Sequence, residues 1–125
     1  MSAASDYAEN KILDHIVGTT SWTMPTNTYV KMHLGAAGEA GTANPAAETT
    51  RVVTSFGAAA SGTCSNDAEI AWTSVSTTET WTHFSIWDNL TAGNCLIVGA
   101  LTASVALTAG DDAKFAVGAL TVTAA

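Results

Sequence analysis

The heptapeptide Trp81-Thr82-His83-Phe84-Ser85-Ile86-Trp87 decides the fold class. Its period is two. Trp81, His83, Ser85 and Trp87 fall on one face and Thr82, Phe84 and Ile86 on the other, the alternation of an extended strand. Bulky groups on both faces predict a strand covered on both sides, central in a sandwich or lying under a helix. Downstream, residues 88–94 read as a polar turn. Residues 95–101 form a near-continuous apolar strand, Val105 and Leu107 continue the alternation among small residues, and Gly110, Asp111 and Asp112 make a turn. Phe115 and Val117 share one face of a short strand, and residues 120–123 close the chain.

Upstream of the heptapeptide the same pattern holds. Residues 68–73 place Ala68, Ile70 and Trp72 on one face, residues 51–56 read as a strand, and residues 57–66 as a Gly/Ser/Ala turn. Residues 29–34 alternate, with Val30, Met32 and Leu34 inward and Tyr29, Lys31 and His33 outward. Residues 35–49, with Gly35, Glu39, Asn44 and Pro45, have no period and read as a long loop, a class that is often functional. Only the N-terminus changes period. Ser5 or Asp6 can cap a helix, with Glu9 three residues after Asp6 as a capping box requires. Ala8, Ile12, Leu13 and Ile16 then share a face at helical spacing, and Gly18 supplies the stop. An apolar stripe of this kind is expected to dock on the chain's own sheet, with a neighbouring subunit as the alternative. Short strands at intervals of about 8–12 residues predict a mainly β fold, an antiparallel β-sandwich or barrel-like domain with one short N-terminal α-helix. The 125 residues suit a single domain, with an arm and helix over residues 1–18 and a sandwich over 19–125.

Composition narrows the function. Hydrophobic residues make up 47% and charged residues 12%, and the net charge is −7. Lys11, Lys31, Arg51 and Lys114 are dispersed, so phosphate-rich nucleic acid and anionic membranes are poor partners. No run of apolar residues is long enough to cross a bilayer as a helix. The N-terminus lacks a secretory pattern, which points to assembly in a cytoplasm. In that compartment Cys64 and Cys95 are expected as free thiols, and the Asn89-Leu90-Thr91 sequon carries no meaning.

No nucleophile elbow, phosphate loop or zinc signature occurs, and His15, His33 and His83 stand apart, so no catalytic residue, metal or cofactor is expected. Asp111 and Asp112 read as turn chemistry. His83 reads as a hydrogen-bonded strand histidine. Trp72 belongs in a core, whereas Trp22, beside Met24 and Pro25, is better suited to an interface.

Three stretches in order, DYAENKILDHIVGTTSWTMPTNTYVKMHLG (6–35), RVVTSFGAAASGTCSNDAEIAW (51–72) and WTHFSIWDNLTAGNCLIVGALTASVALTAGDDAKFAVGALTV (81–122), resemble small virion proteins of tailed bacteriophages. The family opens with a short helix and a Gly-Thr turn. It closes with a Thr-His-Phe strand, an aromatic-Asp turn, a Gly-Ala-Leu-Thr strand and a Gly-Asp turn. Residues 44–50 depart from it, since relatives carry a Gly-rich piece with an aromatic there. The resemblance implies a structural role. The leading expectation is a decoration, or cement, protein on the outer capsid surface, a homotrimer bound to the major capsid protein. The alternative is a tail-fibre or baseplate component contacting other tail proteins or a host-surface glycan. Trp22, Met24, Pro25, Gly35, Glu39, Asn44 and Pro45 are the candidate interface residues. The arm 2–6 is expected to make particle contacts that can be deleted without unfolding the domain.

Overall fold

A computed structural model of the protein describes residues 2–124. Along these residues run β1 (Ser2–Ala4), α1 (Asp6–Ile16), β2 (Thr28–His33), β3 (Val52–Thr54), β4 (Thr63–Ser65), β5 (Ile70–Trp72), β6 (Glu79–Trp87), β7 (Cys95–Leu107), β8 (Ala113–Phe115) and β9 (Thr121–Thr123). The main sheet has five strands in the order β1-β7-β6-β2-β3, and two-stranded sheets pair β4 with β9 and β5 with β8. All pairings are antiparallel. The fold is mainly β with one short helix, and none of its sheets closes into a barrel.

The two small sheets cover one face of the large one. Ile70 and Trp72 of β5, Ala113 and Phe115 of β8, and Leu120 and Val122 at β9 pack against Val30, Met32, Trp81, Phe84 and Ile86. Trp72 is the hub. Its ring meets Trp81 edge-on at 5.2 Å and Phe115 at 5.9 Å, and its indole N–H donates to the Thr50 carbonyl. Such edge-to-face pairs add about 0.5–1.5 kcal/mol each beyond their buried area.

The β6–β7 pairing is irregular at two points, between Ile86 and Trp87 and, more widely, at Thr82. Between Trp81↔Val105 and His83↔Ala100 the register shifts, so that residues 101–104 of β7 stand opposite Thr82 alone. The irregularity changes the phase of β6. Trp81 thereby joins Phe84 and Ile86 in the core, instead of sharing a face with His83, Ser85 and Trp87 as strict alternation predicts. The opposite face of β6 is covered by the 35–45 loop rather than by the helix. Gly41 lies so close to Cys95 and Trp87 that a side chain there would collide with the Cys95 sulfur.

The same loop corrects the reading of β2. His33, expected outward, is fully buried, and Leu34, expected inward, is exposed because the strand ends before it. His33 Nε2 lies 2.7 Å from Ser85 Oγ and Nδ1 lies 2.9 Å from the Ala43 carbonyl. Ser85 Oγ also accepts the Trp87 indole N–H at 2.7 Å. The proton positions follow. The Ala43 carbonyl can only accept, so His33 Nδ1 carries the proton and donates to it; Nε2 of the neutral ring then accepts the Ser85 hydroxyl, whose oxygen accepts from Trp87. Burial, the largest influence, lowers the His33 pKa, and the neighbouring Lys31 and His83 push the same way against the Ala43 bond.

Smaller departures have local causes. The expected 57–66 turn contains β4, whose partner β9 lies far along the chain. Ala68 and Val117 are exposed because β5 and β8 are only three residues long. Asp111 Oδ2 accepts from Thr108 N and Asp112 Oδ1 from Ser74 N, as turn carboxylates do. His83 bonds Thr82 Oγ1 on the sheet surface. Cys64 and Cys95 are free thiols.

Candidate functional site

The N-terminal arm is built into the sheet. β1 pairs with β7 from Ser2↔Gly99 to Ala4↔Ile97, and Ser5 N donates to the Leu96 carbonyl. Ser5 itself is fully buried. Its hydroxyl donates to the Cys95 carbonyl and accepts from Ala8 N, so a single side chain caps the helix and pins it to β7. An arm held this way is part of the sheet rather than a free tether, so removing residues 2–6 is expected to cost stability as well as any particle contact.

The pin at one end fixes the rotation of α1, and it does not bury the stripe. Ala8, next to the pin, is 2% exposed. Exposure then rises along the stripe through Ile12 at 38% and Leu13 at 59% to Ile16 at 71%, with Val17 at 70%. The expected docking of the stripe on the chain's own sheet therefore holds at Ala8, against β1 and β7, and is lost from Leu13 onward. Beneath its first half lies a groove of about 290 Å³ with almost wholly apolar walls, floored by Leu96, Ile97 and Val122 and bounded by Ile12, Trp22 and Pro25.

The chain then doubles back. Thr19 N and Thr20 N both bond the Asp14 carbonyl, and Trp22 N donates to His15 Nδ1. This return sets Trp22 edge-on to Tyr7 at 6.5 Å, with the Lys11 ammonium 5.7 Å from the Tyr7 ring centre. Tyr7, Lys11, Trp22, Met24, Pro25 and Asp88 line a second, mainly polar cleft of about 400 Å³. Trp22 stands between cleft and groove and contributes to the walls of both.

Of the residues singled out in the sequence, Trp22, Met24 and Pro25 are thus brought together, with Met24 84% exposed. Glu39 lies in an adjacent cleft that also includes Tyr7. Gly35, Asn44 and Pro45 are elsewhere, where the loop rejoins β2 through Leu34 N to Asn44 O, and His33 bridges to Pro45. Asn44 takes a left-handed φ of 47° and its amide donates to the Ala36 carbonyl. The loop is therefore tied down by its own bonds. The helix stripe carries the larger apolar surface, and its period gave the signal without indicating which way it faces. No group of three or more His, Cys, Asp or Glu residues able to hold a metal occurs among the described residues, and no helix is long and apolar enough to cross a membrane.

A small antiparallel β body that presents an apolar ridge, a groove and an aromatic cleft defines a protein of surfaces, one suited to contact. Comparison with known families gives the particular kind. Residues 3–123 match the family described as podophage GP4 fiber I protein gp80, and the chain belongs to that family. It is a small virion protein of tailed bacteriophages. No curated protein matches the chain.

Proposed function

We propose that the chain is a non-enzymatic structural subunit of a virion fibre and that it associates with further copies of itself through α1. The observation that carries the association is the exposed ridge of Leu13, Ile16 and Val17 beside the apolar groove. Contiguous exposed apolar surface on a soluble protein marks an interface. Ridge and groove are different surfaces of one protomer. A ridge-to-groove contact closes either reciprocally across a two-fold axis, as a dimer, or head-to-tail as a ring, of which a trimer is a small example. Membership in a fibre family supports the fibre over the capsid-decoration role that the sequence features alone put first.

Two measurements test the reading. Sedimentation of the purified protein is expected to show a closed oligomer that Leu13→Asp or Ile16→Asp converts to monomer with the fold intact. A wild-type monomer would remove the proposed interface. Copy number per purified particle, by quantitative mass spectrometry, separates the seats. Tens of copies fit a fibre, whereas a number near parity with the major capsid protein returns the chain to the head lattice.

A further inference from the structure

We propose that the cleft between α1 and residues 21–26 is a binding site for an uncharged hexose. The first observation is Trp22. Three of the four tryptophans are buried with their indole N–H groups bonded: Trp72 to the Thr50 carbonyl, Trp81 to Glu79 Oε1 and Trp87 to Ser85 Oγ. Trp22 is partly exposed, and among the described residues its indole N–H has no partner. An aromatic ring held at a cleft wall by its backbone bond to His15, with a free donor at its edge, is arranged for a ligand rather than for packing.

The second observation is what surrounds it. The Tyr7 phenol, the Lys11 ammonium and the Thr23 and Thr26 hydroxyls line the same cleft, and none makes a hydrogen bond within the described residues. The Asp88 carboxylate, oriented by its bonds from Asn94 N and Nδ2, completes the rim. A pyranose presents an apolar face of C–H groups and a rim of hydroxyls that both donate and accept. An aromatic wall edged by unpaired donors and acceptors matches both features. At about 400 Å³ the cleft lies in the range of small-molecule sites. Charge selects within the class. Lys11 and Asp88 offset each other, and the chain's net charge of −7 disfavours acidic sugars.

All the site's residues come from one protomer, but Trp22 also walls the groove, so Thr26, which lines the cleft and not the groove, separates sugar binding from the proposed association. The test is saturation-transfer NMR on the full chain with the methyl glycosides of glucose, galactose and N-acetylglucosamine, and N-acetylneuraminic acid as the charged comparator. Transfer to the C–H protons of at least one neutral glycoside is expected, with affinity falling about tenfold or more in Trp22→Ala, since an aromatic wall contributes on that scale. Thr26→Val, which leaves Trp22 in place, is expected to weaken binding several-fold and serves should Trp22→Ala fail to fold. Leu13→Asp, which breaks the ridge, is expected to leave sugar binding unchanged. No transfer to any neutral glycoside, stronger transfer to the acidic sugar, or transfer that survives in folded Trp22→Ala and Thr26→Val overturns the proposal.

Discussion

Replacing Ser85 with alanine removes one oxygen and leaves two buried groups stranded. Ser85 is fully buried, and among the described residues its hydroxyl is the only partner of both the Trp87 indole N–H and His33 Nε2. An unsatisfied buried polar group costs about 1–3 kcal/mol, so the substitution is expected to cost about 2–5 kcal/mol. In a domain of this size each kcal/mol shifts Tm by about 3–5 °C, which places the fall at about 6–25 °C. The effect extends to the loop. His33 holds the Ala43 carbonyl through Nδ1, and an imidazole released at Nε2 loses the second bond that fixes its ring in place. The assay is urea unfolding of the wild type, Ser85→Ala, Trp87→Phe and the double variant. Because Trp87→Phe removes the donor that Ser85→Ala strands, the double variant is expected to cost less than the sum of the singles, with a coupling of about 1 kcal/mol or more. A Ser85→Ala protein within about 0.5 kcal/mol of the wild type, or a strictly additive cycle, refutes the network as the tie between sheet and loop.

Other perturbations test separate parts of the fold. Gly41→Ala forces a side chain into Cys95 and Trp87 at a φ of 69° and is expected to cost about 2–4 kcal/mol. Burial pushes the Cys95 thiol up to about 11, so it stays protonated near neutral pH, and the same variant is expected to speed its alkylation. Thr54→Val removes a buried hydroxyl that has no partner among the described residues and is expected to raise stability by about 1 kcal/mol in urea titration. Ser5→Ala loses both the cap and the pin, and is expected to cost about 1–3 kcal/mol and to lower the helical circular dichroism signal.

Stability is also expected to fall with acid in two stages. His33, whose folded pKa lies below its ordinary 6.5, contributes fully above that value and is progressively lost as pH drops beneath it, until the folded pKa is passed. Burial raises the Glu79 pKa, but the bonds from the Trp81 indole and from Ala47 N and Glu48 N outweigh it and hold the pKa below 4.5. Its contribution is therefore lost at lower pH, as the pH falls through the folded value. His33→Gln is expected to flatten the first stage in pH-dependent melting, and an unchanged acid limb would count against a buried neutral histidine.

Much of the architecture was legible in short windows of sequence. The period of 3.6 over Ala8, Ile12, Leu13 and Ile16, with a serine before it and Gly18 after it, specifies the helix, and the structure places it at Asp6–Ile16 with Ser5 as its cap. The period of two marks β2 and β6, and the Gly-Asp and Asp-Asn turns end the strands where they stand. These are local properties, set by backbone geometry and by which neighbouring side chains point the same way. The isolation of Trp22 from the other tryptophans was also visible, because it alone lies in a segment with neither period and is followed by Met24 and Pro25.

What the sequence left open were choices between faces, and those depend on contacts distant along the chain. Ser5 bonds the Cys95 carbonyl, 90 residues away, and that pin turns the bulky end of the helix stripe to solvent. His33 meets Ser85, 52 residues away, which draws a strand-end histidine inside and brings the 35–45 loop over β6. The register shift opposite Thr82 is set by how β7 lies along β6, and it moves Trp81 from one face to the other. A hydrophobic period states that a face exists. Only the packed structure, where each backbone group and each buried side chain must find its partner at once, decides what that face meets.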